Sequence, residues 1–571
     1  MNIWIYSISV AFLRLIDAII IKEKSFPVVI KTDALKKFWL AKADILIIII
    51  FCFIPLFLSF PYRVNIFLSW EGAYRLYKGE IPYRDFGLPM GFAFWVIPAI
   101  FFKIFGPYFL SLIKAQVFLN LVACLSFRGI LQKIKIADAL RIGVILIFCI
   151  SYVLINFWPW YNNTDIIYEI VALNFLFAFF ERTRNTRYIF LFLSCFFLFI
   201  SFFTKQDGGF LAFAIAIVLV ACNSFYVKKW SDLLLFILIY AAIGFLIILP
   251  FTRYSFGYWF NHGQPPHTAR VSIPDLLDEI FGGSQLIKFY FLLIALIVIY
   301  KIYKLPGFFK NRNEILFLLL TLGILTEAAI FKVTSYTPPD NNIFFHAFAV
   351  AYIFKGFSEI TLIDFNRWRN QIALLILILF WWSGSYWQYF SRITNRLFPQ
   401  QTAAVNNPNA ENVINEHTYM LNLDTNHYED ESTWRTIDSL KSFRKIYLPP
   451  STIAGIERVM QMPEFKNKNA TVLNMTELTS LDYELGYKLN KGEDYPLWYH
   501  LGVCMFNKQC DNFCNDIKNK KYDVVLFEYI PSLNNFYPFR VRDSLQVYYK
   551  KTDSFLAPRR PTNGTIEVYV K

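Results

Sequence analysis

Charge is scarce in this chain. Asp, Glu, Lys and Arg make up 17% of its 571 residues, whereas hydrophobic residues make up 56% and aromatics 19%, and the mean hydropathy is +0.39. So little charge cannot cover a soluble globular surface, so the composition excludes a soluble protein and requires one that lives in a bilayer. No polar segment carries a basic face with interleaved aromatics, which argues against nucleic acid as a partner. The net charge of +14 is instead spread over small groups of Lys and Arg between apolar runs, the pattern of cytoplasmic loops beside anionic lipid.

The opening stretch is not expected to act as a secretory leader. It has no basic n-region and no small-residue cleavage site, and Arg14 and Asp17 interrupt it. An amphipathic helix on the cytoplasmic face is expected there, followed by the basic segment Lys22 to Lys42. Of the cysteines, Cys52, Cys124, Cys149, Cys195 and Cys222 sit in or beside apolar runs and read as packing residues. Cys504, Cys510 and Cys514 lie in the polar tail with no second pair and His500 as the nearby histidine, which favours one disulfide and a spare thiol over zinc.

What the chain has in abundance is long apolar runs. About eleven of them between Asp44 and Phe390 are candidates to cross a bilayer, each needing about twenty apolar residues. The basic flank of the first run, Asp44 to Phe60, directs it outward. Leu88 to Phe105 carries Pro89, Pro98 and Lys103 and ends at Gly106-Pro107, so it is expected to lie in the outer interface, with Tyr108 to Phe127 as the second span. That choice places the basic connections around Arg128 to Arg141, Arg182 to Arg187, Lys228, Lys301 to Arg312 and Lys355 to Arg369 on the cytoplasmic side. The connections poor in Lys and Arg then fall outside, and the last span, Gln371 to Tyr386, exports the tail.

The expected organisation is an N-terminal segment over 1–43, an α-helical polytopic membrane domain over 44–390 and a soluble extracytoplasmic α/β domain over 391–571. The last begins with an Asn/Gln/Ala-rich linker, Gln400 to Asn412. Strands are expected at Arg444 to Leu448, Thr471 to Leu473, Asp523 to Tyr529, Gln546 to Tyr549 and Ile566 to Val570, with Ser451 capping a helix towards Met460. The tail has no Gly-rich phosphate loop, no serine elbow and no metal set.

The polar stretch Ser69 to Gly87 (SWEGAYRLYKGEIPYRDFG), expected as a loop just outside the first span, holds Glu71 and Asp85 among Arg75, Lys78 and Arg84. On the same expected side lie Asn162, Asn163 and Asp165, then Lys205, Gln206 and Asp207, then Lys332, Asp340 and His346. Each has a plain alternative: Asp165 can cap a helix, Asp207 with Gly208 can form a turn, Lys205 can snorkel to headgroups, and His346 can be a satisfied polar residue in the bundle.

The order of motifs is more informative than any one residue. An acid after the first span, GEIPYRDFGLPMG, a helix ending in IFG, WPWYNNTD and TKQDGG together resemble the GT-C glycosyltransferases, polytopic enzymes that use polyprenyl-phosphate-linked sugars. That family includes protein O-mannosyltransferases and aminoarabinose transferases. The resemblance implies that Glu71 is the base that deprotonates the acceptor for inverting attack, and that Asp85 orients the acceptor or a metal. It implies that Lys205, with Arg84, His346 and Gln206, receives the lipid phosphate, and that Tyr83, Asn162 and Asp165 meet the sugars.

No metal ligand set is assigned. A divalent metal ion is compatible with the family, whose lipid-monophosphate users need not bind one. The implied partners are a polyprenyl-phosphate-sugar donor, membrane lipid and a glycan, lipid or protein acceptor; the implied location is the inner membrane, N-terminus cytoplasmic and C-terminal domain outside. The chain departs from the family where Trp70 and Gly72 flank a single acid, and where Leu88-Pro89-Met90-Gly91 replaces a Gly-Pro or Pro-Pro pair. Two other readings remain: a lipid-linked-saccharide flippase, and a glycan polymerase or ligase built on Arg253 to Arg270 with His262 and His267.

Overall fold

The computed structural model describes residues 42–62, 66–254, 256, 273–282, 285–304, 307–334, 344–361, 364, 367–381, 429, 433–437, 439–467, 469–499, 505–530, 538–558 and 564–571. The expectations for 1–41, Asp340, the linker 400–412, His262, His267, His500 and Cys504 lie outside these residues, as does the side chain of Lys332.

A helix over residues 42–53 (α1) opens the bundle. It is followed by α2 (Ile66–Tyr77), α3 (Ala93–Phe105), α4 (Phe109–Lys133), α5 (Asp138–Ser151), α6 (Tyr161–Glu181), α7 (Arg187–Phe202), α8 (Gln206–Val227) and α9 (Ser231–Ile248). Further along come α10 (Gln285–Lys304), α11 (Arg312–Thr334), α12 (Phe345–Thr361) and α13 (Trp368–Trp381). In hydrocarbon a helix satisfies its own backbone, which is why apolar sequence with few breakers resolves into helices alone here.

Among the described residues, five helices are long and apolar enough to cross a membrane: Phe109–Lys133, Tyr161–Glu181, Gln206–Val227, Ser231–Phe251 and Arg312–Phe331. That is fewer than the hydropathy runs, because several runs fold as shorter helices: α5 has 14 residues, α7 16 and α13 14. α3, with 13 residues, is about 20 Å long, too short to span. It buries Phe94, Trp95, Pro98 and Phe102 and exposes Val96, Ile100 and Ile104, a face suited to lipid.

The helix ends sort into two faces. On one, Asp44 accepts hydrogen bonds from Arg128 Nε at 2.7 Å and Arg141 Nε at 2.5 Å, Arg187 holds Asp232 at 2.7 Å, and Lys301 meets Glu314 at 2.6 Å, with Lys355 also on Glu314. The basic residues expected at the cytoplasmic side are thus tied to buried acids. The opposite ends carry α2, the start of α6 and α8, and the end of α11.

The C-terminal region forms a sheet in the order β4 (Val472–Met475), β5 (Val524–Tyr529), β7 (Thr565–Val570), β6 (Lys550–Leu556), with α14 (Pro450–Gln461), α15 (Phe506–Lys518) and α16 (Phe539–Tyr548). β4 and β5 are parallel and the other pairs antiparallel. The strand expected at Gln546 to Tyr549 is the end of α16; the strand follows at Lys550, where exposed polar and buried positions mislead a short-window pattern. Ser451 does not cap α14: Pro449 occupies the cap position and Pro450 the first turn, which proline's fixed φ suits. Cys510 and Cys514 are free thiols one turn apart on α15, and neither is in the expected disulfide.

A second, small sheet joins an early segment of the chain to the C-terminal region. β1 (Phe60–Pro61) pairs in parallel with β3 (Ile446–Leu448), which β2 (Arg435–Thr436) flanks antiparallel. The C-terminal region is thereby seated on the segment that leads into α2.

Candidate functional site

Ser69 to Tyr77 is not a loop. The run Ile66–Tyr77 is helical and buries Ile66 through Arg75, because Phe67, Trp70, Ala73 and Tyr74 have core on both sides. Gly72 sets its position: a Cβ there would lie 1.9 Å from Trp95 Cε2, so α2 can rest on the indole only with glycine. The same indole donates from Nε1 to Leu68 O at 2.9 Å, and Trp70 Nε1 donates to Pro107 O at 3.1 Å. Gly79, at φ 84°, ends the helix.

One turn of α2 carries the first cluster. Arg75 donates from Nε and Nη2 to Glu71 Oε1, both at 3.0 Å, and from Nη1 to Glu80 Oε2 at 2.8 Å and Asn490 O at 2.9 Å. Tyr495 lies under the guanidinium, 4.8 Å from ring centroid to Cζ. Gly492 N–H donates to Asp85 O at 2.8 Å and Gly87 N–H to Tyr495 O at 2.8 Å, so residues 490–497 clasp the polar run from above. Burial raises the Glu71 carboxyl to about 7; Arg75 pulls it down and Asp482 pushes it up. Oε2 of Glu71 accepts no hydrogen bond among the described residues. Asp482, raised by burial to about 6 against the hydrogen bonds of Tyr487 and Asn474, faces the same guanidinium.

Asp85 is tuned the other way. Burial pushes it up, but Arg84, bonded at 3.1 Å through Nε and at 2.5 Å through Nη2, and the Ile81 N–H at 2.9 Å outweigh that and hold it below the usual carboxylate range. With both oxygens so engaged, Asp85 does not fit as a metal ligand, and no group of three or more His, Cys, Asp or Glu among the described residues is arranged to hold an ion. Tyr83, at φ 65°, is buried, and its hydroxyl donates to Met90 O at 3.0 Å.

The second cluster lies across the segment 88–95. WPWYNNTD turns helical at Tyr161, so Asn162 and Asp165 lie in the first turns of α6 rather than in a loop. Asp165 Oδ2 packs against Gly208, where a Cβ would come within 2.3 Å of it. Lys205 precedes α8 with its Nζ 3.4 Å from Asp207 Oδ1 and 4.3 Å from the Phe331 ring centroid. Asp207 also accepts from Thr334 Oγ1 at 2.9 Å. Asp207 belongs to the first turn of α8, not to a free turn.

Gln206 Nε2 donates to Pro89 O at 3.5 Å, and Phe94 stacks edge-on with Tyr161 at 6.0 Å, which ties the two clusters through α3. Asn162 is buried with Oδ1 unbonded among the described residues. His346 faces the Tyr290 hydroxyl at 3.3 Å, in the bundle between α10 and α12.

Sequence reasoning missed Glu80, Asp482, Asn490 and Tyr495, which come from the tail or the end of α2, and Glu169 and Glu327 within the spans. The Glu71–Arg75 spacing of four was the available signal, since i,i+4 acid–base pairs meet on a helix.

Fold and site together define a polytopic membrane protein whose C-terminal region closes over the first of two charged clusters in a helical bundle. No protein-family model matches the chain, and no curated protein does. Among solved structures, it is similar to the Archaeoglobus fulgidus oligosaccharyltransferase in complex with Zn and sulfate, at 13% identity over 61% of this chain and 52% of that one, with a TM-score of 0.41. It is also similar to ArnT from Cupriavidus metallidurans, in the apo state (11% identity, 58% of this chain, 61% of that one, TM-score 0.41) and bound to undecaprenyl phosphate (10%, 59%, 62%, 0.40). These neighbours are GT-C membrane glycosyltransferases. The chain spans between half and two thirds of their lengths.

Proposed function

We propose that the chain is a membrane glycosyltransferase that moves a sugar from a polyprenyl-phosphate donor to a glycan, lipid or protein acceptor on the extracytoplasmic side. The observation that carries this reading is the buried Glu71 carboxyl on α2, raised by burial to about 7 and held by Arg75 through Oε1 alone, beside a bundle that exposes apolar side chains. In this reading Glu71 Oε2 takes the acceptor hydroxyl proton as the acceptor oxygen bonds to the anomeric carbon. The carbon–oxygen bond to phosphate breaks, its electron pair leaves with the polyprenyl phosphate, and Lys205 at the start of α8 receives the anion, helped by the helix N-terminus. Asp85 and Arg84 hold the loop, Gln206 and His346 are further polar groups for the donor, and no step is derived through a metal ion.

The test is the mass profile of envelope glycans and polyprenyl-phosphate sugars in a strain lacking the gene, complemented with wild type or Glu71→Gln. Loss of a product of fixed sugar mass, with its lipid-linked donor accumulating and the variant protein equally abundant, supports the reading. Full restoration by Glu71→Gln refutes Glu71 as base.

The rival reading, transport of a lipid-linked saccharide, gains one observation: Glu169 and Glu327 are acids inside the spans, where sequence reading placed polar groups at the outer ends. Donor that crosses the bilayer of vesicles holding the purified protein, without sugar transfer to any acceptor, would favour it.

A further inference from the structure

Two acids in the spans have no role in that chemistry. Glu169 lies eight residues into α6 and Glu327 seven residues before the end of α11, about 12 Å and 10 Å from the helix ends that carry the second cluster. Each is 1% exposed. Their side chains face one another. Glu169 Oε1 and both oxygens of Glu327 meet no hydrogen-bond donor among the described residues.

The groups around them offer no compensation. Asp165 on α6 and Asp207 on α8 lie within electrostatic reach of Glu327, and both are acids. Lys205, at the start of α8, lies against Asp207 and acts on Asp165. Tyr152, which reaches towards Glu169, donates its hydroxyl to Asn163 O at 2.6 Å. Two carboxylates cannot both stay ionised in so apolar a place without a donor or cation, whereas a proton on one of them supplies the donor the other lacks.

We propose that Glu169 and Glu327 form a proton-binding site, one proton held between the two carboxyl groups within the bundle, beneath Asp165, Lys205 and Asp207. The inference goes beyond sugar transfer and stands without it. The pair gives the bundle a group that changes charge inside the bilayer while its backbone stays in place.

The experiment is infrared spectroscopy of the full-length protein in lipid nanodiscs, held well above the ordinary carboxylic range of pH. A carboxylic-acid C=O band that shifts in D2O, and that disappears in Glu327→Gln and in Glu169→Gln while persisting in Asp165→Asn, is the expected result. If either glutamine variant fails to fold, Glu327→Asp serves, since shortening one partner must move the band. A band indifferent to both glutamates overturns the proposal. So does a band that vanishes on adding sodium or magnesium chloride, because the pair is then a cation site.

Discussion

Glu71 and Arg75 stand one helical turn apart on α2, and both nitrogens that Arg75 gives to Glu71 go to the same oxygen, Oε1. The other oxygen, Oε2, accepts no hydrogen bond among the described residues. Arg75 thus orients the carboxylate without occupying its second lone-pair face, and Glu80 and Asn490 hold the guanidinium in turn.

If Glu71 is the base, its proton affinity sets the acid limb of the rate profile. Its carboxyl is raised to about 7, so turnover should rise with pH up to about that value and then level off. Glu71→Gln should lower the rate by about 100- to 10,000-fold with the donor still bound. Steady-state rates across pH, with donor binding measured separately, check both points.

Arg75→Ala leaves buried carboxylates without their cation. The expected loss is about 3–5 kcal/mol, because breaking a buried pair strands the remaining charge. Thermal unfolding in detergent should show it, and Arg75→Lys, which cannot fork between Glu71 and Glu80, should recover only part.

Gly72→Ala drives a methyl into Trp95. Overpacking of this kind costs about 1–3 kcal/mol, and it should shift α2 and depress activity. The double change with Trp95→Leu should regain stability relative to Gly72→Ala alone, as a double-mutant cycle of unfolding would show.

If Lys205 receives the lipid phosphate, Lys205→Ala should weaken binding of a polyprenyl phosphate by about tenfold, the scale of one lost hydrogen bond to a charged group, while leaving Glu71-dependent pH behaviour unchanged. Isothermal titration in nanodiscs reads the first and the rate profile the second. A loss of the pH limb in Lys205→Ala would show that the two clusters are not separate.

The clasp over α2 should also depend on pH. Glu71 and Asp482 bind protons more tightly folded than unfolded, so the stability they lend is complete below the ordinary carboxylic range and is lost as pH rises through about 6 and 7. Hydrogen exchange at the Gly492 and Leu497 amides, both bonded to the polar run, should therefore quicken over that window beyond its intrinsic rise. In Glu71→Gln the added quickening should shrink.

Much of this was legible in the sequence. The apolar runs and the basic ends follow from composition, and spacing and motif order single out Glu71, Asp85, Asp165 and Lys205 as residues to test. What was not legible depends on distance along the chain. Asp482, Asn490 and Tyr495 carry no local mark that would assign them to α2, about four hundred residues earlier, since pairing across such a separation is decided by packing alone. Ser69, Gly72, Arg75 and Lys78 break the apolar pattern and suggest a loop at Glu71, yet burial against Trp95 and residues 490–497 overrides that local preference. The Glu169–Glu327 pair was hidden because single acids inside apolar runs look alike until the helices are packed.

The parallel pairing of Phe60–Pro61 with Ile446–Leu448 has a consequence for how the molecule comes into being. Helices enter the membrane one after another as the ribosome makes them, and the chain's front end waits for its partner until nearly four hundred further residues have emerged. Until then Arg75 has no Asn490 carbonyl and α2 has no cover. A nascent or truncated chain can therefore be fully inserted while Arg75 still lacks the carbonyl and the ring that residues 490–495 bring to it.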